Sequence, residues 1–211
     1  MRFFACQSFA PPMTDTAPAR QLILASTSVY RRELLQRLAV PFSVLAPNVD
    51  EAALPAEQPA DLARRLALAK AHAVAALHPE AIVIGSDQVA DLHGKALGKP
   101  GNHERAVAQL QAMRGQTVVF QTALAVVCLG SNYSAVDLAR VSVRFRELSD
   151  AEIEHYLRME QPYDCAGSAK SEGLGIALLE DITSDDPTAL VGLPLIRTAR
   201  MIRAAGIRLL G

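Results

Sequence analysis

Ile82-Val83-Ile84-Gly85-Ser86-Asp87-Gln88-Val89 is an apolar run that closes on a glycine and then turns polar. Such a run reads as a buried strand, ending at Gly85, that delivers Asp87 to its exposed carboxyl end, where open α/β sheets bind their ligands. A polar turn ahead of Asp91-Leu92-His93-Gly94 would use an aspartate too, since Asp hydrogen-bonds its own backbone in turns. A second run favours the first reading. Leu22-Ile23-Leu24-Ala25 is also apolar and ends in Ser26-Thr27-Ser28-Val29-Tyr30-Arg31-Arg32. Two strands therefore end in polar chemistry, one anionic and one cationic.

Between them, Arg31–Ala39 carries Leu34, Leu35 and Leu38 at helical spacing, Pro41 stops it, and Phe42–Leu45 returns as a strand. A loop over 46–58 leads to a helix whose apolar face is marked by Leu62, Leu66, Ala69, Ala73 and Leu77, with Lys70 on its border. This strand-helix-strand rhythm implies a crossover and some parallel pairing. The second half reads differently. Ala106, Leu110 and Met113 outline a short helix closed by Gly115, and the long runs Thr117–Leu129 and Ser134–Phe145 flank the hairpin signal Gly130-Ser131-Asn132. Ser149-Asp150-Ala151-Glu152 is a capping box opening a helix to about Glu160, and Pro162 ends it. A glycine-punctuated loop over 166–173 then leads into a strand expected near Leu174–Leu179, and Pro194 starts a last helix that Gly206 ends.

The chain has 211 residues, half of them apolar, and a net charge of −1, so it should fold as a soluble globular protein with no general attraction to nucleic acid or anionic lipid. Any phosphate must be held by a local cluster of Lys and Arg. Cys6, Cys128 and Cys165 show no metal-ligand spacing, which suits a reducing compartment and a cytoplasmic location. Residues 1–20 begin like a secretion signal, but Gln7 and Pro11-Pro12 interrupt the apolar stretch. They are expected to be a disordered leader before one domain over 21–211, with Met13 an alternative start. No stretch approaches the length of a membrane span.

Ser26, Thr27 and Ser28 sit where backbone amides and hydroxyls can cradle an anion at a helix start. Arg31 and Arg32 follow in the first turn, where cations oppose the helix dipole unless an anion is bound. Gly94-Lys95-Ala96-Leu97-Gly98-Lys99-Pro100 lacks the Gly-Lys-Ser or Gly-Lys-Thr of a Walker A loop, yet Lys99 can reach a phosphate as a point charge. Asp50-Glu51 and Asp87 offer carboxylates to a hard cation such as Mg²⁺, which is usually shared with substrate phosphates. The five histidines show no zinc spacing and no Gly-x-Ser-x-Gly elbow occurs, which argues against a zinc enzyme and a serine hydrolase. Cys165 reads as a small apolar filler rather than a nucleophile.

Taken in order, these pieces resemble the Maf family of nucleotide pyrophosphatases, also called septum formation inhibitor proteins. The likeness rests on Leu24-Ala25-Ser26-Thr27-Ser28 with Arg31-Arg32, Val49-Asp50-Glu51, Lys70, Gly85-Ser86-Asp87-Gln88-Val89, Gly98-Lys99-Pro100, Ala166-Gly167-Ser168 with Ser171-Glu172-Gly173, and Leu190-Val191-Gly192-Leu193-Pro194. It implies an α/β fold of the Maf/ITPase-like kind: an elongated, twisted, central mixed sheet flanked by helices, two lobes with a cleft between them, often a homodimer.

The implied reaction cleaves a nucleoside triphosphate between its α and β phosphates, which would clear modified nucleotides from the pool. Asp87 is implied as general base, with Ser26, Arg31, Arg32, Lys70 and Lys99 on the phosphates and Glu51 on a divalent cation such as Mg²⁺ or Mn²⁺. Within the family the chain looks like the subgroup acting on 7-methyl-GTP, which carries an aromatic residue at Tyr30, Gln at Gln88 and Glu at Glu172; Tyr30 stands where Trp is commoner. Methylation at N7 makes guanine cationic, which suits an aromatic face and a carboxylate. A dTTP or UTP pyrophosphatase is the neighbouring reading, and a non-catalytic nucleotide-binding regulator of division is the reading from another class.

Overall fold

The computed structural model describes residues 20–210; most of the expected leader, together with Met13, lies outside the described residues. Seven strands form one mixed sheet. They are β1 (Leu22–Ala25), β2 (Ser43–Leu45), β3 (Ile82–Leu92), β4 (Lys95–Leu97), β5 (Thr117–Cys128), β6 (Tyr133–Phe145) and β7 (Leu179–Ser184). The helices are α1 (Val29–Gln36), α2 (Pro59–Ala75), α3 (His103–Met113), α4 (Asp150–Glu160) and α5 (Leu195–Ala204). The sheet order is β2-β1-β3-β5-β6-β7, with β4 paired to β3. The β1–β2 and β1–β3 ladders are parallel, as the crossover rhythm predicts, and the others are antiparallel.

Alternation along the strands explains the core. At the β1 end, Ile23, Ala25 and Val83 face α2, while Leu22, Leu24, Ile82 and Ile84 face Leu34 and Leu35 of α1 and Met201 and Ile202 of α5. A separate cluster fills the other end, where Phe120, Val141, Val143 and Phe145 pack with α3 and α4. The interior is thus divided between two lobes joined by the sheet, and β3 takes part in both. The hairpin and the capping box form as read: Asn132 takes φ +51° at the turn, and Ser149 and Glu152 exchange side-chain bonds with each other's backbone N–H.

Three local expectations are corrected. The strand through Asp87 does not end at Gly85 but continues to Leu92, so Asp87 lies inside an eleven-residue strand and is only 7% exposed. What ends there is β1, whose last partner is Gly85. Helix α2 buries Leu62, Ala63, Leu66, Ala67, Lys70, Ala71 and Val74, whereas Ala69, Ala73 and Leu77 lie off that stripe. The alanines face inward because the helix lies directly on the β3 backbone: a Cβ at Gly85 would overlap the Ala67 carbonyl and lie 2.7 Å from the Ala71 nitrogen. Finally, Leu174–Leu178 forms a 3-10 turn, and the strand follows it. The Leu174 N–H is taken by Glu160 Oε2 at 2.7 Å, which removes it from any ladder.

Candidate active site

Where β1 stops and β3 runs on alone, a cavity of about 750 Å³ opens. Its walls come from the β1–α1 loop, the loop after β2, α2, β3, the Gly98–Lys99 turn, the 164–172 loop and the strap Leu190–Gly192. Ser26, Tyr30, Arg31, Glu51, Lys70, Asp87, Gln88, Lys99 and Glu172 all line it. Arg32 does not; it stands exposed on α1, one position round from Arg31.

The centre of the site is Lys70, 5% exposed, whose ammonium lies 2.6 Å from Asp87 Oδ1 and 2.6 Å from Glu51 Oε1. A lysine in an apolar helix stripe requires such partners, because an unpaired charge there would be several kcal/mol unfavourable. Burial works against the Glu51 carboxylate, but the Lys70 hydrogen bond, with Lys99 and Arg31 nearby, outweighs it and holds its pKa below the ordinary value. Each carboxylate gives one oxygen to Lys70 and keeps a second. Among the described residues no three His, Cys, Asp or Glu side chains could hold a metal by themselves. The two oxygens left over on Asp87 and Glu51 are hard donors of the kind a divalent cation takes, too few by themselves to cage one.

The loop read as an anion cradle is braced by its own hydroxyls. Ser26 Oγ accepts from the Ser28 N–H at 3.1 Å, and Ser28 Oγ caps α1 by accepting from the Arg31 N–H at 3.4 Å. Both hydroxyls thus shape the loop. The Arg31 side chain turns back to donate from Nε to the Gly192 carbonyl at 2.9 Å. Burial lowers the pKa of its guanidinium, and Asp87 and Glu51 oppose that. Together Lys70, Arg31 and Lys99 set three cations against two carboxylates.

At the other end of the cavity, Tyr30 is partly buried beside Cys165 and Asp164, and burial first, then those neighbours, push its phenol up to about 12. Burial likewise pushes the Cys165 thiol to about 12, which keeps it protonated and agrees with its reading as a filler. The Lys170 ammonium, ion-paired with Glu160 at 2.8 Å, lies 5.8 Å from the Tyr30 ring centre.

Sequence reasoning missed the strap. Gly192 takes φ +116°, a left-handed value that glycine adopts without strain, and its carbonyl accepts from both Arg31 and Ser86 Oγ, the latter at 3.0 Å. A backbone carbonyl carries no side-chain signal, although Leu190-Val191-Gly192-Leu193-Pro194 belongs to the resemblance. Thr122, buried in β5, was equally silent.

Residues 21–205 match the profile of the family described as Maf-like protein. The chain is 70% identical to a 7-methyl-GTP pyrophosphatase of Albidiferax ferrireducens over 91% of its own length and 96% of the relative's. It is 69% identical to one of Polaromonas sp. over 97% and 93%. A 7-methyl-GTP pyrophosphatase of Aromatoleum aromaticum is 57% identical over 90% and 97%.

Proposed function

The chain belongs to the Maf-like protein family, and from that premise we propose that it hydrolyses 7-methyl-GTP to the monophosphate and pyrophosphate. The observation that carries the substrate is the 70% identity, over nearly the whole of both chains, to a relative of that name. The cavity supports the chemistry with Lys70, Arg31 and Lys99 for a triphosphate and with Tyr30 and Glu172 for a cationic base.

In this reading Lys70, Arg31 and Lys99 hold and neutralise the phosphates. Asp87 takes a proton from the attacking water as its oxygen bonds to the α phosphorus, and the bond to the bridging oxygen breaks to release pyrophosphate. The free oxygen of Glu51 would hold a divalent cation against the phosphates, and that cation would supply Lewis-acid charge neutralisation when bound. Removal of divalent ions by EDTA should abolish pyrophosphate release, and added Mg²⁺ or Mn²⁺ should restore it; full activity in EDTA would count against the cation.

Tyr30 stacks the base and Glu172 matches its positive charge. Exchanging Glu172 for Gln keeps the shape and removes the charge, so kcat/KM on 7-methyl-GTP should fall about tenfold while dTTP and UTP change little, an effect of about 1.4 kcal/mol. Pyrophosphate release over that panel tests the assignment directly. A wild-type preference for dTTP or UTP would overturn it. Among the described residues no helix is long and apolar enough to cross a membrane. The proposal further takes the protein as a homodimer acting on the cytoplasmic nucleotide pool, and light scattering in solution would measure its mass.

A further inference from the structure

Lys99 stands on a turn with little packing of its own. It is exposed between Gly98 and Pro100, and a Cβ added at Gly98 or Gly101 would meet nothing within 4 Å. Pro100 is the turn's buried residue. What else fastens the turn is a set of hydrogen bonds to its backbone on either side of Lys99. Before it, the Gly98 carbonyl accepts from Gln109 Nε2 of α3 at 3.1 Å and from the Gly167 N–H at 3.4 Å. After it, the Gly101 N–H donates to the Tyr163 carbonyl at 3.0 Å. The Gln109 amide can be held one way only. A carbonyl only accepts, so Gly98 requires the amide NH2 group, and Oε1 then faces Ser168 Oγ at 2.6 Å and takes its single proton. Ser168 is fully buried and takes φ +56°, in the left-handed region, directly after Gly167 at φ +68°. Such strain persists where its surroundings fix it, and here it secures a bond from the 166–168 loop to α3. Neither Gln109 nor Ser168 lines the cavity.

We infer that Gln109 is a positioning residue of the reaction, which touches no substrate and acts by tying the Lys99 turn to the 166–168 loop so that the Lys99 ammonium is held toward the phosphates. This rests on the reading of Lys99 as a phosphate contact. The three cations of the cavity are aimed in different ways. Arg31 is aimed by its bond to the Gly192 carbonyl and Lys70 by its two ion pairs. Lys99 has no such tether among the described residues, so its turn must aim it. A lysine is a point charge on a flexible stem, and where its ammonium can reach depends on how firmly its backbone is held.

The test is a double-mutant cycle on the full chain, read as the binding of inorganic tripolyphosphate, a probe that carries no base. Gln109→Leu should weaken binding about tenfold, short of the ~10²-fold that an ångström of misplacement can cost. Lys99→Met removes the charge and keeps the stem, and in that background Gln109→Leu should change binding by less than about twofold. A general effect on the fold does not depend on Lys99. Equal losses in the two backgrounds, or no loss in the wild type, therefore overturn the positioning role, as does a wild-type protein that fails to bind tripolyphosphate. In turnover, Gln109→Leu should lower kcat/KM on 7-methyl-GTP, dTTP and UTP in the same proportion, because the phosphates are common to all three. A fall on one base alone overturns the inference by placing Gln109's influence at the base. A wild-type preference for dTTP or UTP instead overturns the proposed substrate, while the tripolyphosphate cycle still decides the role of Gln109.

Discussion

Replacing Asp87 with asparagine lowers single-turnover pyrophosphate release by about 10²–10⁴-fold, the usual cost of a positioned general base. Asparagine keeps the shape and one acceptor for Lys70, so the β3–α2 contact survives. It removes one of the two charges that compensate a lysine only 5% exposed, so unfolding in urea should also shift by about 1–3 kcal/mol. Had Asp87 stood at an exposed strand end, as its sequence suggests, no stability change would be expected. Loss of rate together with a modest loss of stability is thus the signature of a base held in a buried ion pair. Near-normal turnover in a folded Asp87→Asn enzyme would place the base elsewhere.

Adding a single methyl group at Gly85 should be nearly as damaging without touching any reacting group. The new Cβ would meet the Ala67 carbonyl and the Ala71 nitrogen, backbone atoms that cannot swing aside as a side-chain tip would. Overpacking of this kind costs typically about 1–3 kcal/mol, and Gly85→Ala should lie at or above the upper end because helix α2 must move bodily. Lys70 rides on that helix between Ala67 and Ala71, so its distances to Asp87 and Glu51 would lengthen together. The measurements are a thermal melt and kcat at a temperature where the variant stays folded. Wild-type values of both would show that the helix yields more easily than its backbone contact implies.

The parts of this fold that were legible in the sequence are those decided by near neighbours. Gly130-Ser131-Asn132 makes its hairpin and Ser149 with Glu152 makes its cap, because turn and cap chemistry act over three or four residues. The place of Arg31 in the cavity was legible too, since a cation at a helix start conflicts with the helix dipole, whereas Lys70 was marked only by the family resemblance. Illegible parts depended on distant contacts. Ser86 and Gln88 looked like the end of a strand because their polarity is satisfied by groups distant in sequence, Ala123 and Thr122 of β5 and the strap carbonyls of Gly192, Ala189 and Leu190. The alanine-rich face of α2 was read in the wrong phase, with Ala69 and Ala73 inward, because only the contact with Gly85 selects Ala67 and Ala71. Arg31 and Arg32 are alike in sequence, and only the Gly192 carbonyl separates the one inside the cavity from the one outside it.

The strap has a consequence for when the site comes into being. Arg31 meets Gly192 across 161 residues of sequence, Ser86 meets it across 106, and Gln88 reaches Ala189 across 101. Closing loops of this size is slow compared with local folding. On a ribosome adding about 5–20 residues per second, Gly192 emerges roughly 8–32 s after Arg31. During that interval a nascent chain already carries Asp87, Lys70 and Arg31, but the strap carbonyls that hold the Arg31 guanidinium and, beside Thr122, the Gln88 amide are not yet there. Nucleotide recognition is therefore a property that arrives near the end of synthesis. A chain terminated before the strap would keep every reacting side chain and lack the carbonyls that order them.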